Sequence, residues 1–273
     1  MQEVSVLTCP SCGHAESLAM PTDACQVYYR CPACNAVLRP QAGDCCVFCS
    51  YGSVPCPPIQ YEVLEQRATS IAARLCSKNN ETLCLALLRR LAQGQPVSPA
   101  QLAADLARPE RDVYETLRQV PDVEWDAAGN VVGWGLSLRP TTHRFLLNSH
   151  RLYTWCALDA FIYPSVLGST AYIESRCPVT SEPITLTVEP DKVATFSPES
   201  AVVSVFVPQI DEKTCNRQNF CSRGHFFSSR DVAQMWQQEH PEGQLLSPDD
   251  AHILGRLIAA YRHRNGLEQD TPS

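Results

Sequence analysis

The residues of this chain best suited to chemistry are two cysteines and one aspartate: Cys156, Asp159 and Cys221. Two thiolates could bind a soft metal ion, and a carboxyl group beside them could deliver a proton to whatever is bonded to that ion. The apolar stretch 152–161 predicts a buried helix that stops before Pro164, and the i,i+3 spacing would place Cys156 and Asp159 on one face of it. Cys221 falls in a polar segment that predicts a flexible loop with an accessible thiol.

The surroundings of Asp159 favour a functional interpretation of this trio. A lone buried cysteine is more often a small hydrophobic residue than a ligand. A carboxylate among apolar neighbours, however, is costly unless it is paired or neutralised. Desolvation would raise its pKa, so that Asp159 could hold a proton and donate it.

A second concentration of thiols lies at the N-terminus, where nine of the 15 cysteines precede residue 57. Cys9, Cys12, Cys31 and Cys34 form two Cys-Pro-x-Cys knuckles, each followed by a residue, Gly or Asn, that tolerates a tight turn. Two such knuckles predict a tetrahedral site for a structural zinc ion. A redox dithiol or a mercury-loaded site are the alternatives.

Five N-terminal cysteines remain outside the knuckles: Cys25, Cys45, Cys46, Cys49 and Cys56. The last four lie in the stretch 43–60, which resembles a cassette found in small proteins associated with mercury resistance. They could form a second zinc site or a set of stabilising thiols, or they could capture and relay a soft metal ion. Both interpretations stay open at this point.

Composition excludes several classes of protein. The net charge of −7 and the pI of about 5.5 disfavour nucleic-acid binding, which needs a basic surface. No apolar run approaches the roughly 20 residues of a membrane span, and the N-terminus lacks a signal-peptide pattern. We therefore expect a cytoplasmic protein, in which clustered cysteines indicate metal binding or catalysis rather than disulfides.

The pattern of elements predicts an α+β protein of three parts. Residues 1–59 would form a Cys-rich, zinc-ribbon-like module, 60–145 a helical, winged-helix-like domain, and 146–273 an α/β catalytic domain with a mixed or antiparallel sheet. The predicted helices are 61–75, 82–93, 99–106 with Ser98 as its cap, 109–120, 231–240 capped by Asp231, and 248–264 capped by Ser247. The predicted strands are a hairpin over 123–138 and the segments 171–175, 184–188 and 202–207. The middle part has few basic residues, so we expect it to pack on the C-terminal site rather than to read DNA.

Two C-terminal segments resemble the signature of the organomercurial (alkylmercury) lyases. One is 151–164, Arg-Leu-Tyr-Thr-Trp-Cys-Ala-Leu-Asp-Ala-Phe-Ile-Tyr-Pro, and the other is 219–227, Asn-Phe-Cys-Ser-Arg-Gly-His-Phe-Phe. The resemblance runs from about residue 80 to the end, includes 129–136 and 188–190, and omits 1–59. It implies that Cys156, Asp159 and Cys221 carry the reaction.

The resemblance also assigns expected roles to neighbouring residues. Cys177, before a proline turn, would be structural, and His225 would make a structural hydrogen bond. Many relatives have a second cysteine directly after the loop cysteine, but this chain has Ser222 there. Cys215 could replace that thiol, although an exposed bystander role is the simpler expectation.

The implied reaction is protonolysis of a carbon–mercury bond to a hydrocarbon and Hg²⁺. It requires no catalytic cofactor, and small thiols or a mercuric reductase would accept the Hg²⁺. A mercury- or copper-binding relay protein without lyase activity is the main alternative. A mercury-responsive transcription regulator is a second one, which the acidic charge disfavours.

Overall fold

The computed structural model describes residues 1–75, 80–120, 122–206, 217 and 220–269, with side chains as far as residue 264. The chain forms two compact units, Met1–Gln66 and Arg67–Ser273. Helices and antiparallel sheets are both present, so the predicted α+β class is confirmed. The three-part division at residues 59 and 145 stays a prediction.

The first unit contains two short antiparallel hairpins, one short helix and the beginning of a longer one. The hairpins and the short helix are β1 (Val4–Thr8), β2 (Ala15–Ala19), β3 (Tyr29–Arg30), β4 (Val37–Leu38) and α1 (Val47–Tyr51). Each Cys-Pro-x-Cys knuckle lies in the turn of one hairpin. The residue after each knuckle, Gly13 or Asn35, has a positive φ, as the tight turn requires. This arrangement is compatible with the predicted zinc-ribbon-like module.

Cysteine side chains make up a large part of the buried core of this unit. A few large apolar side chains, among them Leu7 and Phe48, are buried together with four cysteines. Those cysteines are Cys9, Cys31, Cys46 and Cys56. So small a unit buries little apolar surface, and units of this size commonly depend on a metal ion for stability.

Four helices precede the large sheet. They are α2 (Pro57–Leu75), α3 (Glu81–Leu91), α4 (Pro99–Leu106) and α5 (Glu110–Gln119). Helix α2 begins earlier than predicted because proline fits the first turn of a helix. Ser98 accepts a hydrogen bond from the Gln101 N–H and closes a capping box, which confirms the predicted start of α4. An antiparallel hairpin, Glu124–Trp125 with Val131–Trp134, follows these helices.

An eight-stranded antiparallel sheet forms the centre of the second unit. Its strands are β5 (Glu124–Trp125), β6 (Val131–Trp134), β7 (Leu136–Ser137), β8 (His143–Leu147), β9 (His150–Thr154), β10 (Ala171–Arg176), β11 (Pro183–Val188) and β12 (Val193–Ser197). They lie in the order β12-β11-β10-β8-β9-β7-β6-β5. The hairpin of β5 and β6 therefore belongs to the same sheet as β8 to β12.

In the described residues, a smaller sheet and three α-helices complete the second unit. The sheet has the order β14-β13-β15, with β13 (Val202–Val205), β14 (Phe226–Phe227) and β15 (Gln244–Leu246). The helices are α6 (Asp159–Leu167), α7 (Arg230–Glu239) and α8 (Pro248–Gln269). Helix α8 approaches α6 closely at Gly255, where an added Cβ would lie 2.7 Å from the Phe161 carbonyl oxygen. None of the described helices has the length and apolar composition of a membrane span.

The predicted helix over 152–161 is wrong. Residues 150–154 form β9, which pairs with both β8 and β7, and the helix begins only at Asp159. A short apolar run fits a buried strand as well as a buried helix, so periodicity could not separate the two. The helix also continues through Pro164 and ends at Gly168, whose φ is 63°.

Other predicted elements need smaller corrections. The stretch 131–138 holds two strands, because Gly135, with a φ of 76°, turns the chain between β6 and β7. Ser229, not Asp231, caps α7 by accepting a hydrogen bond from the Val232 N–H. Ser247 does cap α8. Val207 of the predicted strand and Cys215 lie outside the described residues.

Candidate active site

Three separate elements bring Cys156, Asp159 and Cys221 together. Cys156 lies in the turn after β9, Asp159 is the first residue of α6, and Cys221 opens a 3₁₀ helix, Cys221–Arg223. The two sulfurs and the carboxylate lie within 4.8 Å of one another. All three side chains are buried. A single heavy atom could therefore contact the whole set, although Cys221 is less accessible than its polar sequence suggested.

Backbone contacts fix the turn that carries Cys156. The Ala157 N–H donates to the Gly224 carbonyl at 3.0 Å, which ties this turn to the loop of Cys221. The Cys156 N–H donates to Asp159 Oδ2 at 3.1 Å. An added Cβ on Gly224 would lie 2.9 Å from the Cys156 Cβ, so the two loops approach this closely only because residue 224 is glycine.

Burial controls the protonation of the trio. It raises the pKa of Asp159 to about 6, although hydrogen bonds from Cys156 and Tyr163 and the charge of Arg262 oppose the rise. It also raises the pKa of the Cys156 thiol. A hydrogen bond with Cys156, followed by burial, raises the pKa of Cys221 well above its ordinary value. At neutral pH the site thus holds two protonated thiols beside a carboxylate that can readily take up a proton.

A small cavity of about 30 Å³ opens next to this trio. Its lining includes Asp159 and Cys221 together with Leu75, Cys84, Trp134, Gly135, Trp155, Tyr163 and Arg262. Leu75 and Cys84 belong to α2 and α3. The helical segment therefore does cover part of the site, in agreement with the expectation from its composition.

Sequence reasoning missed Cys84, Glu81 and Arg262. The Arg262 Nε donates to Glu81 Oε1 at 2.8 Å, and its Nη2 lies 2.9 Å from Cys84 Sγ. The ion pair is almost completely buried, with 4% and 3% of the two side chains exposed. Both helices carry several other charged residues, so no pattern in the sequence marks Glu81 and Arg262 as a buried pair.

Aromatic residues close the other side of the site. The Trp155 Nε1 is buried and has no hydrogen-bond partner in the described part of the chain. The Arg217 guanidinium lies 5.1 Å from the centre of the Trp155 ring and forms an ion pair with Glu124. The Tyr163 hydroxyl occupies the space that a side chain at Gly135 would need.

The neighbouring residues singled out from sequence lie around this core. Cys177 is buried and its N–H donates to the Glu182 carbonyl at 3.0 Å in the turn after β10. The His225 N–H donates to Ser204 Oγ at 2.9 Å, and burial lowers the pKa of its ring. Both hydrogen bonds hold the backbone of these two residues in place, in keeping with the structural roles expected for Cys177 and His225.

The N-terminal thiols form two separate clusters in the first unit. In each, the four sulfurs lie within 4.8 Å of one another: Cys9, Cys12, Cys31 and Cys34 in one, and Cys45, Cys46, Cys49 and Cys56 in the other. Sulfur–sulfur distances in the first cluster include 3.8 Å and 3.7 Å, between Cys9 and Cys34 and between Cys12 and Cys31. All the cysteines that the structure describes are free thiols.

Family models match most of the second unit. Residues 136–260 match the model of alkylmercury lyase, and residues 65–135 match that of the helix-turn-helix domain of alkylmercury lyase. Both matched ranges begin after the N-terminal clusters, so these clusters lie outside them.

Individual proteins agree with these models. The chain is 44% identical over 186 residues to an alkylmercury lyase of Staphylococcus epidermidis, covering 68% of this chain and 85% of the relative. It is 40% identical over 217 residues to one of Streptomyces lividans, covering 77% and 98%. A solved structure titled as the mercury-bound form of MerB2 superposes with a TM-score of 0.61 at 27% identity, covering 73% of this chain and 98% of that one. This chain belongs to the alkylmercury lyase family.

Proposed function

We propose that this protein is an organomercurial lyase, which cleaves the carbon–mercury bond of alkyl- and arylmercury compounds by protonolysis in mercury detoxification. The observation that carries the proposal is the buried set of Cys156, Asp159 and Cys221, whose ligand atoms lie within 4.8 Å of one another. Membership of the alkylmercury lyase family supports it.

In the proposed reaction, Cys156 and Cys221 bind the mercury of the substrate as thiolates. Two protons are released when the thiols bind; Asp159 takes one and solvent takes the other. Sulfur donors push electron density toward the carbon, which makes it more basic. Asp159 then gives its proton to that carbon, the carbon–mercury bond breaks, and Hg²⁺ stays on the two sulfurs.

The raised pKa of Asp159, about 6, suits both proton uptake from a thiol and proton donation to the carbon. The group is largely ionised at neutral pH and can accept the thiol proton, yet it is basic enough to hold that proton beside bound substrate. A positioned general acid contributes roughly 10²–10⁴-fold to a rate, so the two sulfur ligands must supply much of the remaining activation.

The reaction uses only side chains of this protein and needs no organic cofactor or resident catalytic metal. We assign a structural Zn²⁺ to Cys9, Cys12, Cys31 and Cys34. Zn–S bonds of about 2.3 Å in a tetrahedron give sulfur–sulfur edges of about 3.8 Å. The separations of 3.8 Å and 3.7 Å in this cluster fit that value.

The Hg²⁺ product must leave by ligand exchange to other thiols, so small thiols or a mercuric reductase are the proposed acceptors. A cytoplasmic location would keep these buried and clustered thiols reduced. The helix-turn-helix segment has a different proposed role from DNA binding, because it contributes Leu75 and Cys84 to the cavity of the site.

The function is tested by incubating the full chain with phenylmercury and excess small thiol. Gas chromatography should detect benzene in proportion to the substrate consumed, and the Cys156→Ser variant should release none above background. Binding of mercury without release of benzene would instead identify a soft-metal relay protein.

A further inference from the structure

We propose that Cys45, Cys46, Cys49 and Cys56 form a second, exchangeable soft-metal site, which accepts Hg²⁺ with the help of Cys25. The identity of the ion as product of the active site rests on the proposed lyase function. The existence of the site rests on the cluster itself.

The four sulfurs of this cluster form a compact polyhedron. Cys45 lies 3.5 Å from both Cys49 and Cys56, Cys46 lies 3.5 Å from Cys49, and Cys49 lies 3.6 Å from Cys56. These edges are close to the roughly 3.8 Å of a four-thiolate zinc site, so one d¹⁰ ion would fit with small outward shifts of the sulfurs. Soft thiolates prefer soft ions such as Hg²⁺.

Two buried residues between the ligands anchor this cluster in the first unit. Val47 and Phe48, between the ligands, are fully buried in the core of the first unit. Cys46 and Cys56 are buried, whereas Cys45 and Cys49 are partly exposed. Two ligands are therefore anchored and two can be reached by another thiol.

A fifth thiol distinguishes this cluster from the first one. Cys25 is exposed, and after burial and the thiols of Cys56 and Cys49 its side chain also raises the pKa of Cys45. Of the nine cysteines in the described first unit, eight belong to the two clusters and Cys25 is the one left over. Thiolate-bound ions exchange when an additional sulfur attacks the metal before another leaves, so a thiol at the rim supplies the path for exchange.

The exchange step conserves charge and needs no oxidant. Hg²⁺ leaves two donor thiolates and gains two at the cluster; each receiving thiol releases a proton and each donor thiolate takes one up. Where the cluster holds Zn²⁺ beforehand, the incoming Hg²⁺ displaces it as free Zn²⁺.

The first test measures zinc in full-length variants. The protein purified from zinc-containing medium should hold two Zn²⁺ per chain, and Cys45→Ser with Cys49→Ser should hold one. The matched pair Cys12→Ser with Cys34→Ser, which removes the two exposed ligands of the other cluster, should also hold one. Two Zn²⁺ in the Cys45/Cys49 variant would overturn the proposed site.

The second test adds inorganic HgCl₂ to the zinc-loaded chain in a Cys156→Ser, Cys221→Ser background and follows released Zn²⁺ with a chromogenic chelator. One Zn²⁺ should leave rapidly at one equivalent of Hg²⁺, while the other remains. Cys25→Ser should slow this release without changing its stoichiometry, because the attacking thiol is gone. The control Thr22→Ala, an exposed neighbour on the same loop, should leave the rate unchanged.

Simultaneous release of both zinc ions, or an unchanged rate in Cys25→Ser, would contradict the proposal. Because this assay uses inorganic mercury, it reports on the cluster even if the chain fails to cleave phenylmercury. Conversely, benzene release by the intact chain tests the lyase function whatever happens at the cluster.

Discussion

The two units of this protein assemble their sulfur ligands in different ways. In the first unit the ligands come in short-range groups, two knuckles at hairpin turns and three cysteines within residues 45–49. In the second unit Cys156 and Cys221 lie far apart in the chain, and a strand, a helix and a 3₁₀ turn must fold together before they meet. The first kind of site depends on local turns and the second on the whole unit.

Exposure differs in the same way. Cys12 and Cys34 are exposed at the first cluster, whereas Cys156, Asp159 and Cys221 are all buried. The buried carboxyl group has the raised pKa that the proposed proton delivery needs. Similar donor atoms therefore acquire different chemistry through burial.

The largest effect should come from the active-site thiols. Cys156→Ser and Cys221→Ser should each lower benzene release to background, because a hydroxyl is a poor ligand for a soft ion. The matched change Cys177→Ser, at a buried thiol in a turn outside the trio, should keep turnover while lowering stability. Normal turnover by Cys156→Ser would remove the distinction between the two kinds of thiol.

The buried pair behind the site should give the next largest effect. Arg262→Met leaves Glu81 as an unpaired buried charge and should destabilise the protein by about 3–5 kcal/mol in urea unfolding. Because the charge of Arg262 lowers the pKa of Asp159, that pKa should also rise. Combining Arg262→Met with Glu81→Leu should restore most of the stability. A double variant no more stable than the single one would contradict this account of the pair.

Asp159→Asn should show how much burial of the ionised carboxylate lowers the free energy of unfolding. The folded pKa of about 6 exceeds the ordinary 3.8, so the folded state binds the proton more tightly and stability falls as pH rises between these values. The asparagine variant avoids this penalty and should be about 3 kcal/mol more stable at pH 7.5, with the gap narrowing to about 1 kcal/mol at pH 4.5. Urea unfolding at the two pH values measures it. A gap that does not change with pH would show that Asp159 has an ordinary pKa.

The smallest effect on turnover should come from the first unit. Cys12→Ser with Cys34→Ser should remove one Zn²⁺ and lower the stability of that unit, because small metal sites contribute directly to folding. With excess small thiol present, phenylmercury turnover should change by less than about twofold, since the proposed catalytic side chains all belong to the other unit. A loss of turnover would tie zinc binding to catalysis.

The sequence predicted local features well. Two Cys-Pro-x-Cys motifs with Gly13 and Asn35 behind them specified the knuckles, and Ser98 before Pro99 specified the start of α4. These features depend on a few neighbouring residues, for which turn and capping rules hold.

Long-range features were less accessible from sequence. The segment around Leu152 was predicted as helix, but pairing with two neighbouring strands makes it β9. No local rule joins Cys221 to Cys156, so the prediction of the trio depends in part on its resemblance to the lyase signature. Glu81, Cys84 and Arg262 carried no signal of their own, since only the packing of α3 against α8 brings them together.

In the proposed mechanism, Asp159 donates the proton that breaks the carbon–mercury bond. Single-turnover mixing of phenylmercury with the Asp159→Asn variant tests it, with bound mercury and released benzene measured in the same sample. We predict stoichiometric mercury on the protein and a rate of benzene release lower by about 10²–10⁴-fold than in the unsubstituted chain. Benzene release at the unsubstituted rate would contradict the claim.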